Sequence, residues 1–174
     1  MMFKDQVAIV TGGGQGIGRA ICTAFANEGA TVVVADIDLA QAQETVHTLE
    51  ASESTALAVQ TYVSCAASLE ALVQTVLARF NRIDILVNNA GRSIRRSINL
   101  SYDRFHDFER TMQLNYFGSL RLIMNFLPVM EKNRSGHIIN ISSIGALTMP
   151  ARFSAYVASK SALDAFSRCA ASEF

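Results

Sequence analysis

The chain has 174 residues, half of them hydrophobic and 17% charged, with fifteen Lys and Arg set against fifteen Asp and Glu. That length suits one domain with a sizeable core, residues 1–174, and the even charge balance argues against a nucleic-acid tract or an acidic partner. No apolar run reaches membrane-spanning length, and Cys22, Cys65 and Cys169 are too far apart to suggest a metal site.

The polar start, Met1 to Gln6, has no apolar signal-peptide core, which predicts a cytoplasmic protein with reduced thiols. Val7-Ala-Ile-Val10 reads as a buried strand over 6–11, followed by the glycine turn Thr11-Gly-Gly-Gly-Gln-Gly-Ile-Gly18 and a helix over 16–28. A second strand over 31–36 ends in Asp36, with a helix over 38–52 behind it. The order then repeats: strand 55–62, helix 66–80, strand 83–88, one long helical segment over 103–132, strand 136–142 and a last helix over 153–173. Ile83, Ile85, Leu86 and Val87, like Ile138, Ile139 and Ile141, form the near-continuous apolar runs of parallel strands covered on both faces. Alternation of this kind predicts an α/β fold. Pro128 and Pro150 fall near helix and loop ends, and Cys22 and Cys169 sit in apolar helical stretches that suit core positions.

Strand, glycine turn and helix in that order can hold a dinucleotide. Glycines let the backbone approach a pyrophosphate, whose charge meets the unpaired N–H groups and positive dipole end of the helix. Asp36, about twenty residues further on, can accept hydrogen bonds from an adenosine ribose. The plainer reading is a tight βα connection and a solvated strand end.

Tyr156 and Lys160, four residues apart in Ser154-Ala-Tyr-Val-Ala-Ser-Lys160, share one helical face. A free phenol titrates at about pH 10, and a fixed positive charge beside it favours the phenolate, so the pair can move a proton at neutral pH. A solvated helix face would show the same spacing. Asn115, in Met112-Gln-Leu-Asn-Tyr-Phe117, is a poor helix-interior residue among apolar neighbours unless its amide is used. A helix-packing amide is the alternative.

These pieces together resemble the short-chain dehydrogenase/reductase family, whose pattern runs through the whole chain in order. The matching residues are Thr11-Gly12 with Gly16 and Gly18, Asn88-Asn-Ala-Gly91, Asn115, Ser143, and Tyr156 with Lys160. Ser143 matches rather than Ser142 because it stands thirteen positions before Tyr156. The resemblance implies a Rossmann-type doubly wound parallel sheet in three αβα layers and hydride transfer between a nicotinamide and a carbonyl or alcohol. It implies Tyr156 as acid/base, Ser143 holding the reacting oxygen, Lys160 also gripping the nicotinamide ribose, and Asn115 ordering a water that relays protons. Cofactor contacts fall on Gly12, Gln15, Gly16, Ile17, Gly18, Asp36, Ile37, Val63, Asn89 and Gly91, besides Tyr156 and Lys160. His47, His106 and His137 receive no role, and no metal site is implied.

Asp36 would repel a 2′-phosphate, and neither Gln15 nor Ile37 is basic, so NAD is favoured over NADP. Tyr62-Val-Ser64 stands where many relatives place an Asp beside the adenine, which leaves Tyr62 as a stacking alternative. Residues 91–174 resemble the bacterial branch that reduces fatty acyl thioesters or long-chain aldehydes, and Arg92, Arg95 and Arg96 could meet a phosphate-bearing carrier. That branch is usually NADPH-linked, against the sense of Asp36. Family members are usually longer, so the resemblance also implies that the last strands of the fold are missing, leaving strand 136–142 as an apolar edge. An active oxidoreductase and a catalytically silent fragment that binds nucleotide both remain open. In the family the helices matching 103–132 and 153–173 form an interface, which implies a homo-oligomer, dimer or tetramer.

Overall fold

Every residue of β1 (Val7–Thr11) is buried, and β2 (Thr31–Asp36) is buried from Val32 onward, as strands covered on both faces require. The computed structural model describes residues 1–173. Its sheet runs β3 (Ala56–Gln60), β2, β1, β4 (Ile85–Asn88), β5 (His137–Asn140), and every pairing is parallel. Strand order reverses between β1 and β4, which opens a crevice at their carboxyl ends. The glycine turn after β1 and Asn89 to Gly91 after β4 border that crevice.

Alternate strand residues feed two cores, giving the three αβα layers of a Rossmann-like fold. Ile9, Val33 and Leu86 share one cluster with Leu69, Leu72 and Val76 of α3 (Ala66–Phe80) and Leu122 and Phe126 of α5 (Ser119–Asn133). Ala8, Val10, Val34 and Val87 share the other with Cys22 and Ala26 of α1 (Gly16–Asn27) and Ala42 and Leu49 of α2 (Leu39–Glu50). Asp38 caps α2 by accepting from Gln41 N at 3.2 Å, and Asn81 ends α3 in the left-handed conformation. Among the described residues no helix is long and apolar enough to cross a membrane.

Four expectations are corrected. The segment read as one helix over 103–132 is three pieces: α4 (Phe105–Met112), a π-helical turn (Gln113–Gly118) and α5. Such a turn adds one residue to the helical circuit and is common beside functional sites. It ends at Gly118, where a side chain would run into the Val63 carbonyl and Val63 Cγ1. Pro128 lies inside α5, where its missing N–H would have met the carbonyl of Met124, a residue exposed enough for water to take that place. Cys169 is exposed because the buried positions of α7 (Ser154–Ala170), Ala155, Ser159, Lys160 and Leu163, stop short of its last turn. Ile138, Ile139 and Ile141 are not covered on both faces but only partly, with Ile139 40% exposed, because β5 is an edge of the sheet, as expected for strand 136–142. The short helix α6 (Gly145–Thr148), between β5 and α7, has no sequence signal of its own.

Gly118 yields a stability prediction. Gly118→Ala forces a methyl against Val63 backbone, which overpacks the junction and costs about 1–3 kcal/mol. The urea midpoint should fall by the corresponding amount with an unchanged m-value.

Candidate active site

The crevice is built first from the glycine turn. Gly12 turns the chain at a φ of 65°, and Gly18 packs so closely on the Gly12 carbonyl that no side chain fits. Asn89 Nδ2 donates to Thr11 O at 2.9 Å and Gly12 O at 3.1 Å, while Thr11 Oγ1 accepts from Asn89 N and Ala90 N, both at 3.0 Å. These bonds tie the ends of β1 and β4 together. Gly16, Ile17 and Gly18 open α1, where the first N–H groups have no intrahelical acceptor. Gly16 faces open space, Gln15 is exposed and Ile17 is 67% exposed, so an anion can reach this end.

Asp36, buried at the end of β2, accepts from Gly14 N at 2.8 Å and from Asp38 N at 3.0 Å, one bond on each oxygen. Each oxygen keeps a lone pair for a further donor. Ile37 next to it is exposed, while Val63 is buried beneath Gly118. Tyr62 is exposed, its hydroxyl accepting from Gln60 Nε2 at 3.2 Å. Sequence reasoning missed two residues that hold the turn from behind. Arg19 donates to Gly14 O from Nη2 at 2.6 Å and to Thr45 Oγ1 from Nε at 3.0 Å, and the fully buried Thr45 hydroxyl lies 3.2 Å from the carbonyls of Gly13 and Gly14. The only signal for Thr45 was a hydroxyl on the apolar stripe of α2. Helix N-terminal donors, open space above Gly16 and a rim carboxylate at Asp36 together fit a dinucleotide.

The second part of the site lies on α7. Lys160 is 4% exposed, and its Nζ donates to Ile141 O at 2.6 Å, just beyond β5. Burial pulls its pKa down, and among the described residues no carboxylate lies within ion-pair distance of it. Gly91 lies against the same ammonium: a Cβ there would be 3.4 Å from Lys160 Nζ and 3.2 Å from Asn115 Oδ1. Tyr156 sits one turn earlier, half-buried. Ser143 Oγ accepts from Gly145 N at 3.1 Å, and Gly145 packs between that hydroxyl and Val157, next to Tyr156.

Asn115 is fully buried in the π-helical turn. Its Oδ1 accepts from Arg92 N, and its Nδ2 donates to Arg92 O and to Ser159 Oγ, all at 2.9 Å. Both amide N–H groups are therefore used inside the protein, and one Oδ1 lone pair remains. Asn115, Gly91 and Lys160 thus meet, while Ser143 and Gly145 pack by Val157, on the turn of α7 that carries Tyr156.

A third cluster was not foreseen. Asp107 on α4 is buried with Arg96 Nε at 3.3 Å, Arg104 Nε at 3.1 Å, Arg110 Nη2 at 2.5 Å and His106 Nε2 at 3.4 Å. Burial would raise its pKa, but the Arg104 hydrogen bond and the charges of Arg104, Arg110 and His106 outweigh it and hold the carboxyl below the usual range. Arg96 N also donates to Arg152 O at 2.7 Å, which pins the loop after β4 to the entry of α7. Arg92 instead lines an open cleft of about 370 Å³ with Ser64, Arg110, Thr111, Gln113 and Leu114. Among the described residues no group of side chains could hold a metal ion.

Asp107→Asn should lower stability at neutral pH, because the arginines lose their common counter-charge. The folded pKa of Asp107 is depressed, so its contribution is present above the unfolded value of about 3.9 and lost as pH falls through the folded one. Urea midpoints of the two proteins should differ at pH 7 and converge in acid.

Comparison with known proteins places this geometry. The chain matches the family described as short chain dehydrogenase over residues 6–174. It is 49% identical, over 98% of its own length, to a fatty acyl-CoA reductase from Acinetobacter baylyi. A metagenomic short-chain oxidoreductase in complex with NADP superposes with a TM-score of 0.94 at 31% identity, covering 99% of this chain and 78% of that one. An NAD+-bound xylitol dehydrogenase superposes with a TM-score of 0.93 at 26% identity, covering 99% and 66%. The chain spans 58% of the Acinetobacter relative's length and 48% of that of a mycobacterial oxidoreductase 43% identical to it. The match over nearly every residue, on a five-stranded parallel sheet with a glycine turn at its switch point, shows that the chain belongs to the short-chain dehydrogenase family of oxidoreductases.

Proposed function

We propose that the chain, a single nucleotide-binding domain, binds a nicotinamide dinucleotide and transfers hydride between it and a carbonyl or alcohol carbon. The observation that carries this reading is Lys160, a buried ammonium with no carboxylate partner among the described residues. Burying an unpaired charge is costly and has no structural return, so its place beside Gly91, Asn115 and Tyr156 argues for function.

When bound, the nicotinamide accepts or supplies the hydride. The chain's own residues do the rest. Gly12, Gln15, Gly16, Ile17 and Gly18 receive the pyrophosphate at the end of α1, and Asp36, flanked by Ile37, accepts from the adenosine ribose. Val63 supports the adenine end, and Asn89 and Gly91 shape the wall nearest the nicotinamide. In a reduction Tyr156 donates a proton to the carbonyl oxygen, and in an oxidation it accepts one. Ser143 Oγ already accepts from Gly145 N, which leaves its O–H free to donate to the same oxygen. Lys160 supplies positive charge one helical turn from the phenol and binds the nicotinamide ribose. Asn115 holds Arg92 and α7 in place around them.

Asp36 favours NAD, since a 2′-phosphate would meet its carboxylate. The Acinetobacter relative supports a fatty acyl thioester as substrate, with a long-chain aldehyde as the alternative. The same reading gives a cytoplasmic homo-oligomer joined through α4, the π-helical turn, α5 and α7, with Phe117 of the turn and Met124 of α5 exposed. The test is a turnover screen of long-chain aldehydes, fatty acyl-CoA and short alcohols with each cofactor. NADH-dependent reduction of the long-chain substrates supports the reading, and silence with every pair removes it.

A further inference from the structure

Ser159 is a fully buried serine between Tyr156 and Lys160 that lies outside the residues given a chemical role above. Both functions of its hydroxyl are used: it accepts from Asn115 Nδ2 at 2.9 Å and donates to Tyr156 O at 2.7 Å. A continuous line of hydrogen bonds therefore runs from the Arg92 backbone through the Asn115 amide and the Ser159 hydroxyl to the Tyr156 carbonyl. It joins three separate elements, the loop after β4, the π-helical turn and the first turns of α7. Among the described residues no hydrogen bond fixes the Tyr156 hydroxyl, so where the phenol stands depends on the placement of its helix turn and on the packing of its ring.

We propose that Ser159 is a positioning residue, whose hydroxyl sets the placement of the Tyr156 turn of α7 relative to Asn115 and the loop after β4. The proposal rests on the proton-transfer reading of Tyr156. A shift of about 1 Å at a reacting group can cost about 10²-fold in rate, which is why a bond to the main-chain carbonyl of the catalytic tyrosine matters. Removing the hydroxyl leaves an Asn115 N–H buried without a partner, so Asn115 relaxes and loosens its hold on Arg92 N.

The experiment compares the wild-type chain, Ser159→Ala, and Ser161→Ala as a control on the same helix. Three quantities are measured: kcat with a long-chain aldehyde, NADH affinity by fluorescence, and hydrogen exchange of the Arg92 amide. Ser159→Ala should lower kcat about tenfold or more, leave NADH affinity within about twofold, and speed exchange at Arg92, while Ser161→Ala changes none of these. Unchanged kcat, unchanged Arg92 exchange, or an equal loss of kcat and NADH affinity would each overturn the positioning role. If the wild-type chain turns over nothing, the proposed function fails, and exchange at Arg92 still decides whether Ser159 anchors the network.

Discussion

Tyr156→Phe is expected to lower kcat by about 10²–10⁴-fold, the range for removing a general acid or base, while NADH affinity changes by less than about twofold. The asymmetry follows from what the change deletes. Phenylalanine keeps the ring on the half-buried face of α7 and removes only the hydroxyl, the group proposed to exchange a proton with the substrate oxygen. The glycine turn, Asp36 and Asn89 are untouched, so most of the cofactor contacts proposed above remain. Steady-state kinetics and a cofactor titration on the same preparation separate the two quantities. An equal loss of both would show that the phenol helps to hold the cofactor and does not act as acid or base.

Lys160→Met is expected to abolish turnover to a similar extent and at the same time to stabilise the fold by about 1 kcal/mol at pH 7. Methionine fills a comparable volume without an ammonium to desolvate, at the loss of one hydrogen bond to Ile141 O. The pH dependence follows from the direction of the shift. The folded pKa of Lys160 lies below its unfolded value of about 10.4, so between the two the unfolded chain binds more protons and the wild type gains stability as pH rises. The advantage of Met should therefore be largest at neutral pH and shrink toward pH 10.4. Thermal or urea unfolding across that range reads it directly. A variant less stable than wild type at pH 7 would mean that the buried ammonium contributes to the fold.

The parts of this molecule that were legible in its sequence are those whose cause is local. Val7 to Val10 and Thr31 to Ala35 announce parallel strands by composition, and Thr11 to Gly18 announces a turn that only glycine can make against the Gly12 carbonyl. Asn115 was visible as an amide in the wrong place for an ordinary helix. Residues whose role depends on tertiary contact were not visible. Asp107 sits among arginines on a polar stretch with no sequence signal of burial, yet Arg96 from the loop after β4 closes over it. Thr45 and Arg19 clamp Gly14 from behind, a contact that exists only once α2 packs beside α1. The π-helical turn adds a single residue to a helical pattern, a shift that periodicity over 103–132 is too coarse to register. Cys169 shows the opposite error, since an apolar neighbourhood in sequence does not put a residue on the buried stripe.

The most direct test of a nicotinamide site organised by the glycine turn and Asp36 is a fluorescence titration of the chain with NADH and, separately, with NADPH. Saturable binding with NADH at least about tenfold tighter, a difference of about 1.4 kcal/mol, is the predicted result. Tighter binding of NADPH would contradict the role given to Asp36, and no binding of either would contradict the site itself.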